Sequence, residues 1–361
     1  MHVGFIYNMA TEELLRERPE ITLQDSDPIE TIQEVTAALE AGGHTVTGLN
    51  ADQKLPAVLT EARFDIVFNI ATGVYGETRQ AHVPAMLDYL RIPHTGPGVL
   101  AEAICHHKPQ EKMILMGHGL PTAPFQVFKS PDEPLKPHLE FPVIAKLSSE
   151  GASMGLDYGS VIANEAELRA RVKYLLEKFP PNHVLVEKYL DGREFTLPVL
   201  GSNPAYALPI AELHFFGKIP IRLDEIEPYN FELLKRATNN PDLQHVKMES
   251  YSKAPADLSP EMTQRIQQLA IDAFTAIGCV DWARVDIRMD KAGNPYVLEV
   301  NLAPGIASDC VFAMCGFAAG WTYTQLVNNI LNHAIDRYAH LKAKRDAELA
   351  AKGNGHREMA N

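Results

Sequence analysis

The sequence predicts an α/β protein of more than one domain, turning α+β in its later part. Three observations carry that prediction. Strand-like and helix-like stretches alternate through the first hundred residues, the rhythm of an open parallel sheet. From Phe125 the character becomes β-rich, in "FPVIAKLSS", "HVLVEKYL", "EFTLPVLG" and "AYALPIAELHFF", with the helix "NEAELRARVKYLLEKF" among them. The length, 361 residues, exceeds what one hydrophobic core organises.

Each element has a local reason. "HVGFIYN" reads as a short buried strand. "PIETIQEVTAALEAGG" repeats apolar residues at helical spacing from about Pro28 and closes on glycine at Gly42. "HTVTGLN" resumes a strand, and "FDIVFNI" (Phe64–Ile70) is apolar enough to be buried on both faces. The intervening "MATEELLRERPEITLQDSD" lacks a clean period and reads as a flexible or substrate-covering loop. "ATGVYGETRQAHVPAMLDYLRIPHTGPG" gives a glycine-punctuated loop and an amphipathic helix, and loops after parallel strands often hold ligands. One helix is expected from Val99 to Gly117, ending at "GHGLPTAPF", with a hinge near residue 120.

Further on, Gly217 to Lys253 is polar and aperiodic, as expected of a long mobile loop. "SPEMTQRIQQLAIDAFTAIG" is a helix with Ser259 as N-cap and Gly278 as stop. "ARVDIRMDKAGNPYVLEVN" is a β-hairpin around "KAGN". A last helix begins at "WTYTQLVNN" and becomes fully polar before a frayed tail. The expected division is residues 1–120, 121–205, 206–340 and a polar helical tail, 341–361.

Composition narrows the function. Hydrophobic residues make up 46% and charged residues 22%, enough for packed cores. The net charge of −13 argues against nucleic-acid or anionic-membrane partners, while leaving room for a local basic pocket for phosphates. No apolar run has the length of a membrane span, and "MHVGFIYN" has no leader pattern. Four cysteines form no CxxC pair, which disfavours structural zinc and a disulfide framework and points to a reducing, cytoplasmic setting.

The chemistry concentrates in the hairpin. With a turn at Lys291–Asn294, Asp290 pairs with Pro295, Asp286 falls opposite Glu299, and Arg284 falls opposite Asn301. These four side chains share one face, while Val285, Ile287, Leu298 and Val300 form the core face. Three oxygen donors converging on an apolar sheet suit a hard cation, Mg²⁺ with phosphate as co-ligand. Arg284 would stabilise charge on a phosphoryl group or an oxyanion. An exposed, solvated charge ladder explains the hairpin alone about as well. "AKLSSEGASMGLD" adds Lys146 at a strand end, followed by a glycine loop able to approach phosphate. "VLVEKYLDGREFTL" adds Glu187 and Glu194 around a linker suited to adenine and ribose, though a strand with exposed acids is individually the commoner reading.

In this order and spacing, "HTGPGVLAEAICHHKPQEK", "GLPTAPF", "FPVIAKLSSEGASMG", "VLVEKYLDGREFT" and "ARVDIRMDKAGNPYVLEVNLAPG" resemble the D-alanine–D-alanine ligase family of ATP-grasp enzymes. The resemblance runs from roughly Phe64 to Ala319. It implies an ATP-grasp fold in three domains, an N-terminal substrate domain with an open parallel sheet followed by central and C-terminal domains that hold ATP between them. It implies Lys108, Lys146 and Ser153 at the ATP phosphates, Glu187, Lys188 and Leu190 lining the adenine, Glu194 at the ribose and Leu298 beneath the base. Asp286, Glu299 and Asn301 would hold two Mg²⁺ ions, for which Mn²⁺ could substitute. Arg284 and the backbone at Gly305 would stabilise a tetrahedral intermediate, and Lys235 would reach the γ-phosphate from the 217–253 loop.

The departures from the family concentrate at substrate positions, where Thr72, Ser308 and Cys310 are the candidate residues. Thr72 stands where the family has histidine, and Ala152 and Ser153 replace paired serines. Cys310 stands where the family's serine grips the acceptor carboxylate, beside Asp309. The glutamate that takes the donor's amino group has no matching segment, and Glu12 or Glu13 could substitute for it. The expectation is an ATP-dependent ligase joining a small-molecule carboxylate to an amine, on amino acids other than two D-alanines. The alternatives are an authentic D-alanine–D-alanine ligase, or a non-catalytic nucleotide-binding module. The family also implies a homodimer.

Overall fold

Val3 and Phe5 lie in one core and Ile6 in another, as period-2 alternation requires of a strand covered on both sides. The computed structural model describes residues 1–9, 26–73, 76–149, 155–156, 158–181, 183–213 and 252–347. Its first sheet is parallel, in the order β2-β1-β3, with β1 at His2–Tyr7, β2 at Thr45–Asn50 and β3 at Ile66–Asn69. Helices α1 (Ile29–Ala41) and α2 (Leu55–Glu61) alternate with these strands, and α3 (His82–Tyr89) follows the loop after β3.

The expected single helix at 99–117 is two helices, α4 (Val99–Cys105) and α5 (Lys108–Gly117). The break is at His107, with φ −117° and ψ 88°, and Pro109 stands in the first turn of α5. Proline lacks an N–H and its ring clashes with the carbonyl four residues back, so the helix must restart around it.

A four-stranded antiparallel sheet, ordered β4-β7-β5-β6, comprises β4 (Phe125–Phe128), β5 (Val143–Leu147), β6 (Val161–Ile162) and β7 (Val184–Lys188). It packs on α6 (Glu165–Lys178) through Leu168, Val172 and Leu175. Asn164 caps α6 by accepting from the N–H of Glu167.

The third sheet runs β11-β10-β8-β12-β13, with β9 beside β8. Its strands are β8 (Glu194–Gly201), β9 (Ala205–Ala207), β10 (Ala211–Leu213), β11 (Ser252–Lys253), β12 (Asp281–Met289) and β13 (Pro295–Asn301). A division at residue 205 therefore cuts through one sheet. Helix α7 (Pro260–Ile277) covers it through Ile266, Ala270 and Phe274, starting at Ser259 and stopping at Gly278 (φ 82°) as the sequence predicts. Helices α8 (Val311–Ala318) and α9 (Tyr323–Arg337) close the chain. Leu326, Ile330 and Ala334 of α9 pack in the core of the first sheet, so the two ends of the chain share one interior. The helical path breaks at Tyr338.

The hairpin differs from the expected one in register near its turn. Arg284 pairs with Asn301 and Asp286 with Glu299, as expected, but Met289 rather than Asp290 pairs with Pro295. Asp290 instead accepts from the N–H groups of Ala292 and Asn294 and closes the turn itself. The one-residue discrepancy is taken up by a bulge at Leu298. Val297, not Leu298, therefore fills the core, and Leu298 is half-buried next to Glu299.

Candidate active site

On β12, Val285, Ile287 and Met289 are buried, and Arg284, Asp286 and Arg288 alternate with them. The Arg284 guanidinium clamps Asp286 with two bonds, Nε to Oδ1 at 2.9 Å and Nη2 to Oδ2 at 2.8 Å. Asn301 donates its Nδ2 to the same carboxylate at 2.9 Å, and the Thr196 hydroxyl of β8 donates to Oδ1. The solvated-ladder reading of the hairpin is therefore displaced by a bonded cluster spanning three strands.

Glu299 lies across from Asp286, with its Oε2 3.5 Å from the Lys108 Nζ of α5. Burial alone would raise its pKa, but Lys108, Lys146 and Arg284 outweigh that and draw the carboxyl down to about 2. Glu299 is thus an anion held among cations.

Glu187, on β7, is only 2% exposed and sits between two lysines. Its Oε1 is 2.5 Å from Lys146 and its Oε2 is 2.8 Å from Lys112. Burial opposes its charge, yet the two lysines keep its pKa below the ordinary value. Glu194 is bound at 3.0 Å by Arg288, whose guanidinium also donates to the Tyr189 hydroxyl. Burial nonetheless raises the Glu194 pKa. In the linker, Leu190 is buried. The backbone N–H groups of Lys188 and Tyr189 are taken by the carbonyls of Pro124 and Pro142, and Lys188 Nζ donates to Glu140 O.

The residues expected on the substrate side are bonded differently. Ser308 offers both its N–H (2.9 Å) and its hydroxyl (2.8 Å) to the carboxylate of Glu34 on α1. The Cys310 thiol donates to the Gly305 carbonyl at 2.8 Å. Burial raises the Cys310 pKa, which makes it a poor thiolate. The N–H groups of Thr72 and Gly73 both donate to the side-chain oxygen of Asn8, at the end of β1. Ser153, Lys235, Glu12 and Glu13 lie outside the described residues, as does most of 217–253.

The structure thus brings together Arg284, Asp286, Asn301, Glu299, Lys108, Lys146 and Glu187, and sets Thr72, Ser308 and Cys310 apart in their bonding. Four further residues escaped sequence analysis. Lys112 and Glu111 stand at i+4 and i+3 from Lys108, a spacing that would have placed them on its face. Arg288 is two residues beyond Asp286 on the same strand face. Glu34 gave no signal, being one acid on an amphipathic helix.

Among the described residues no group of three or more His, Cys, Asp and Glu is arranged to hold a metal unaided. The hairpin instead offers two carboxylates and an amide oxygen. That set fits Mg²⁺, which takes one or two carboxylates and fills its remaining positions with phosphate and water. No helix among the described residues is long and apolar enough to cross a membrane.

Comparison with known proteins gives this arrangement a context. The family model described as D-ala D-ala ligase C-terminus matches residues 114–332, more than half of the chain. D-alanine–D-alanine ligase B of Chromobacterium violaceum is 32% identical over 302 residues, covering 82% of this chain and 89% of that protein. An uncharacterized protein, y4sG, of Sinorhizobium fredii is 31% identical over 312 residues, covering 84% and 87%. The crystal structure of D-alanine–D-alanine ligase from Bacillus anthracis complexed with ATP shares the fold, at a TM-score of 0.70 and 22% identity over 95% of this chain and 99% of that one. Fold and relatives define the class as ATP-grasp enzymes, which bind ATP and form C–N bonds. Within that class the chain belongs to the D-alanine–D-alanine ligase family.

Proposed function

We propose that the protein joins the carboxylate of one amino acid to the amine of another, for a pair other than two D-alanines. The carboxylate attacks the γ-phosphate of ATP, giving an acyl phosphate and ADP. The amine then displaces phosphate to form the amide. The observation that carries this reading is the Arg284–Asp286–Asn301 cluster with Glu299 across from it and Lys108 reaching Glu299. A carboxylate and a triphosphate repel each other, so cations must screen both before attack. Lys108 and Lys146 would neutralise phosphate oxygens. Arg284, fixed by Asp286, would face the charge that develops on the tetrahedral carbon's oxygen, with the N–H at Gly305 as a second donor. Asp286, Glu299 and Asn301 would hold Mg²⁺, two ions by family resemblance with Mn²⁺ able to replace them, and the metal would lower the charge on the transferring phosphoryl group.

The substrate side supports a changed specificity. Ser308 is engaged by Glu34 and Cys310 replaces a serine, with Asp309 beside it. An internal carboxylate on Ser308 and an acid at 309 are unfavourable to an incoming acceptor carboxylate. A second reading, ligation of two D-alanines, is favoured by the names of the relatives at 31–32% identity. The separating experiment is an ATP/Mg²⁺ assay with D-alanine alone, set beside a screen of amino-acid pairs with mass spectrometry of the product. Dipeptide from D-alanine alone at rates matching the best pair overturns the proposal. ATP binding without ADP release for any mixture would point to a non-catalytic module. A homodimer in the cytoplasm completes the proposal.

A further inference from the structure

Three residues in the first turn of α5 reach three different parts of the site. Lys108 extends to Glu299 at 3.5 Å. Glu111, 1% exposed, accepts the backbone N–H of Val300 at 2.6 Å, at the peptide that joins Glu299 to Val300. Lys112, fully buried, lies 2.8 Å from Glu187, whose other oxygen holds Lys146. The turn is itself anchored, since the Lys108 N–H donates to the carbonyl of Ser148, two residues beyond Lys146.

The edge position of β13 explains why such support is needed. β13 is the last strand of its sheet among the described residues, with only an isolated bridge at Thr122 on its outer side, so its outward N–H groups need partners from outside the sheet. Val297 N–H is taken by the Pro121 carbonyl and Val300 N–H by Glu111. Lys112 also donates to the Thr122 hydroxyl at 2.6 Å, and that hydroxyl donates to the Val297 carbonyl at 2.9 Å. Lys112 therefore ties the four-stranded sheet, through Glu187, to the edge of the six-stranded one.

We propose that Glu111 and Lys112 are positioning residues with separate charges: Glu111 sets the metal-binding strand at Glu299 and Asn301, and Lys112 sets the phosphate-binding Lys146 through Glu187. The inference rests on the nucleotide and metal assignments made above. Without an acceptor at 111 the Val300 N–H is buried unpaired, and the strand carrying Glu299 must shift to satisfy it. Without Lys112, Glu187 keeps Lys146 as its only close cation and draws it away from a bound phosphate.

The two roles separate experimentally. ATP binding to the full chain is measured by calorimetry, at saturating and at graded Mg²⁺. Glu111→Met is expected to raise the Mg²⁺ needed for half-maximal binding by about tenfold, with ATP affinity at saturating Mg²⁺ within about twofold of wild type. Glu111→Gln keeps a carbonyl acceptor for Val300 and is expected to stay within about twofold on both measures. Lys112→Met is expected to weaken ATP binding at saturating Mg²⁺ by about tenfold while leaving the Mg²⁺ requirement in place. Should Lys112→Met fail to fold, Thr122→Val removes the hydroxyl that holds Lys112 and is expected to move ATP affinity in the same direction by a smaller factor. The inference is overturned if each variant moves both constants together, or if Glu111→Met binds as wild type does. A wild-type chain that binds no ATP at any Mg²⁺ concentration defeats the ligase reading beneath it, whereas binding without the split defeats this inference alone.

Discussion

The proposed nucleotide end and the proposed substrate end of the site are both rich in charge, but they hold it in different ways. At the nucleotide end, acids meet cations: buried Glu187 meets Lys112 and Lys146, and the half-buried Glu194 and Asp286 meet Arg288 and Arg284. At the substrate end, acids are held by neutral donors: Glu34 by the N–H and hydroxyl of Ser308, and Asp27, just before α1, by the N–H of Asn8, whose side chain takes the N–H groups of Thr72 and Gly73. Buried ion pairs lose heavily when one partner is removed, because the other is left uncompensated. Contacts to neutral donors cost less to break and can be rewritten. On the proposed assignments, the first end would therefore keep one chemistry, and the second would leave room for different substrates.

The largest effect is expected where the pairing is densest. Glu299→Gln removes a carboxylate held as an anion by Lys108, Lys146 and Arg284. Turnover should fall by on the order of a thousandfold or more, with raised Mg²⁺ dependence and little change in melting temperature. Steady-state rates over a Mg²⁺ series check this, and unaltered kinetics would remove Glu299 from the metal site. Lys146→Ala comes next. It should raise the ATP concentration for half-maximal rate by about 10- to 100-fold, with a smaller fall in kcat. An unchanged ATP dependence would detach Lys146 from the phosphates.

Glu34→Gln probes the other end and should act more weakly. The amide can still accept one bond from Ser308 but brings no charge. The expected outcome is a change of about three- to tenfold in KM for the amine substrate, with KM for ATP unmoved. A change in the ATP parameter instead would mean that the two ends are not separable, and the contrast drawn here would fail.

How much of this was legible beforehand follows the same contrast. The charged hairpin could be read from "ARVDIRMDKAGNPYVLEVN" because a strand's period of two places Arg284, Asp286, Glu299 and Asn301 by counting, and the register at those residues is as counted. Counting failed near the turn, where Asp290 bonds its own loop and a bulge at Leu298 restores the register. The helix expected from Val99 to Gly117 failed at Pro109, a breaker visible in the sequence but outweighed by the apolar periodicity around it. The two lysine partners of Glu187 could not be read beforehand, because they come from distant elements, Lys112 from α5 and Lys146 from β5. Glu34 was illegible for the same reason, since its partner Ser308 lies 274 residues away. Local period and caps are written locally, whereas long-range charge pairing is not.

The smallest effect, and the sharpest probe of the contrast, concerns Asp27. Its Oδ2 accepts the Asn8 N–H at 2.8 Å, and burial raises its carboxyl to about 6 against an ordinary 3.8, an effect that this bond only partly offsets. The sign follows from proton binding: between pH 3.8 and about 6 the folded state holds a proton that the unfolded state has lost, so stability falls as pH rises through that window and is level above it. Asp27→Asn keeps an oxygen for Asn8 and removes the titration. The variant should match or trail wild type below pH 4 and exceed it by on the order of 1 kcal/mol above pH 6.5, a rise of a few degrees or less in Tm. Melting curves from pH 3.5 to 7.5 measure the difference. A difference that does not vary with pH would mean that Asp27 is compensated by a cation after all, as the acids of the nucleotide end are, and the distinction between the two ends would then rest on Glu34 alone.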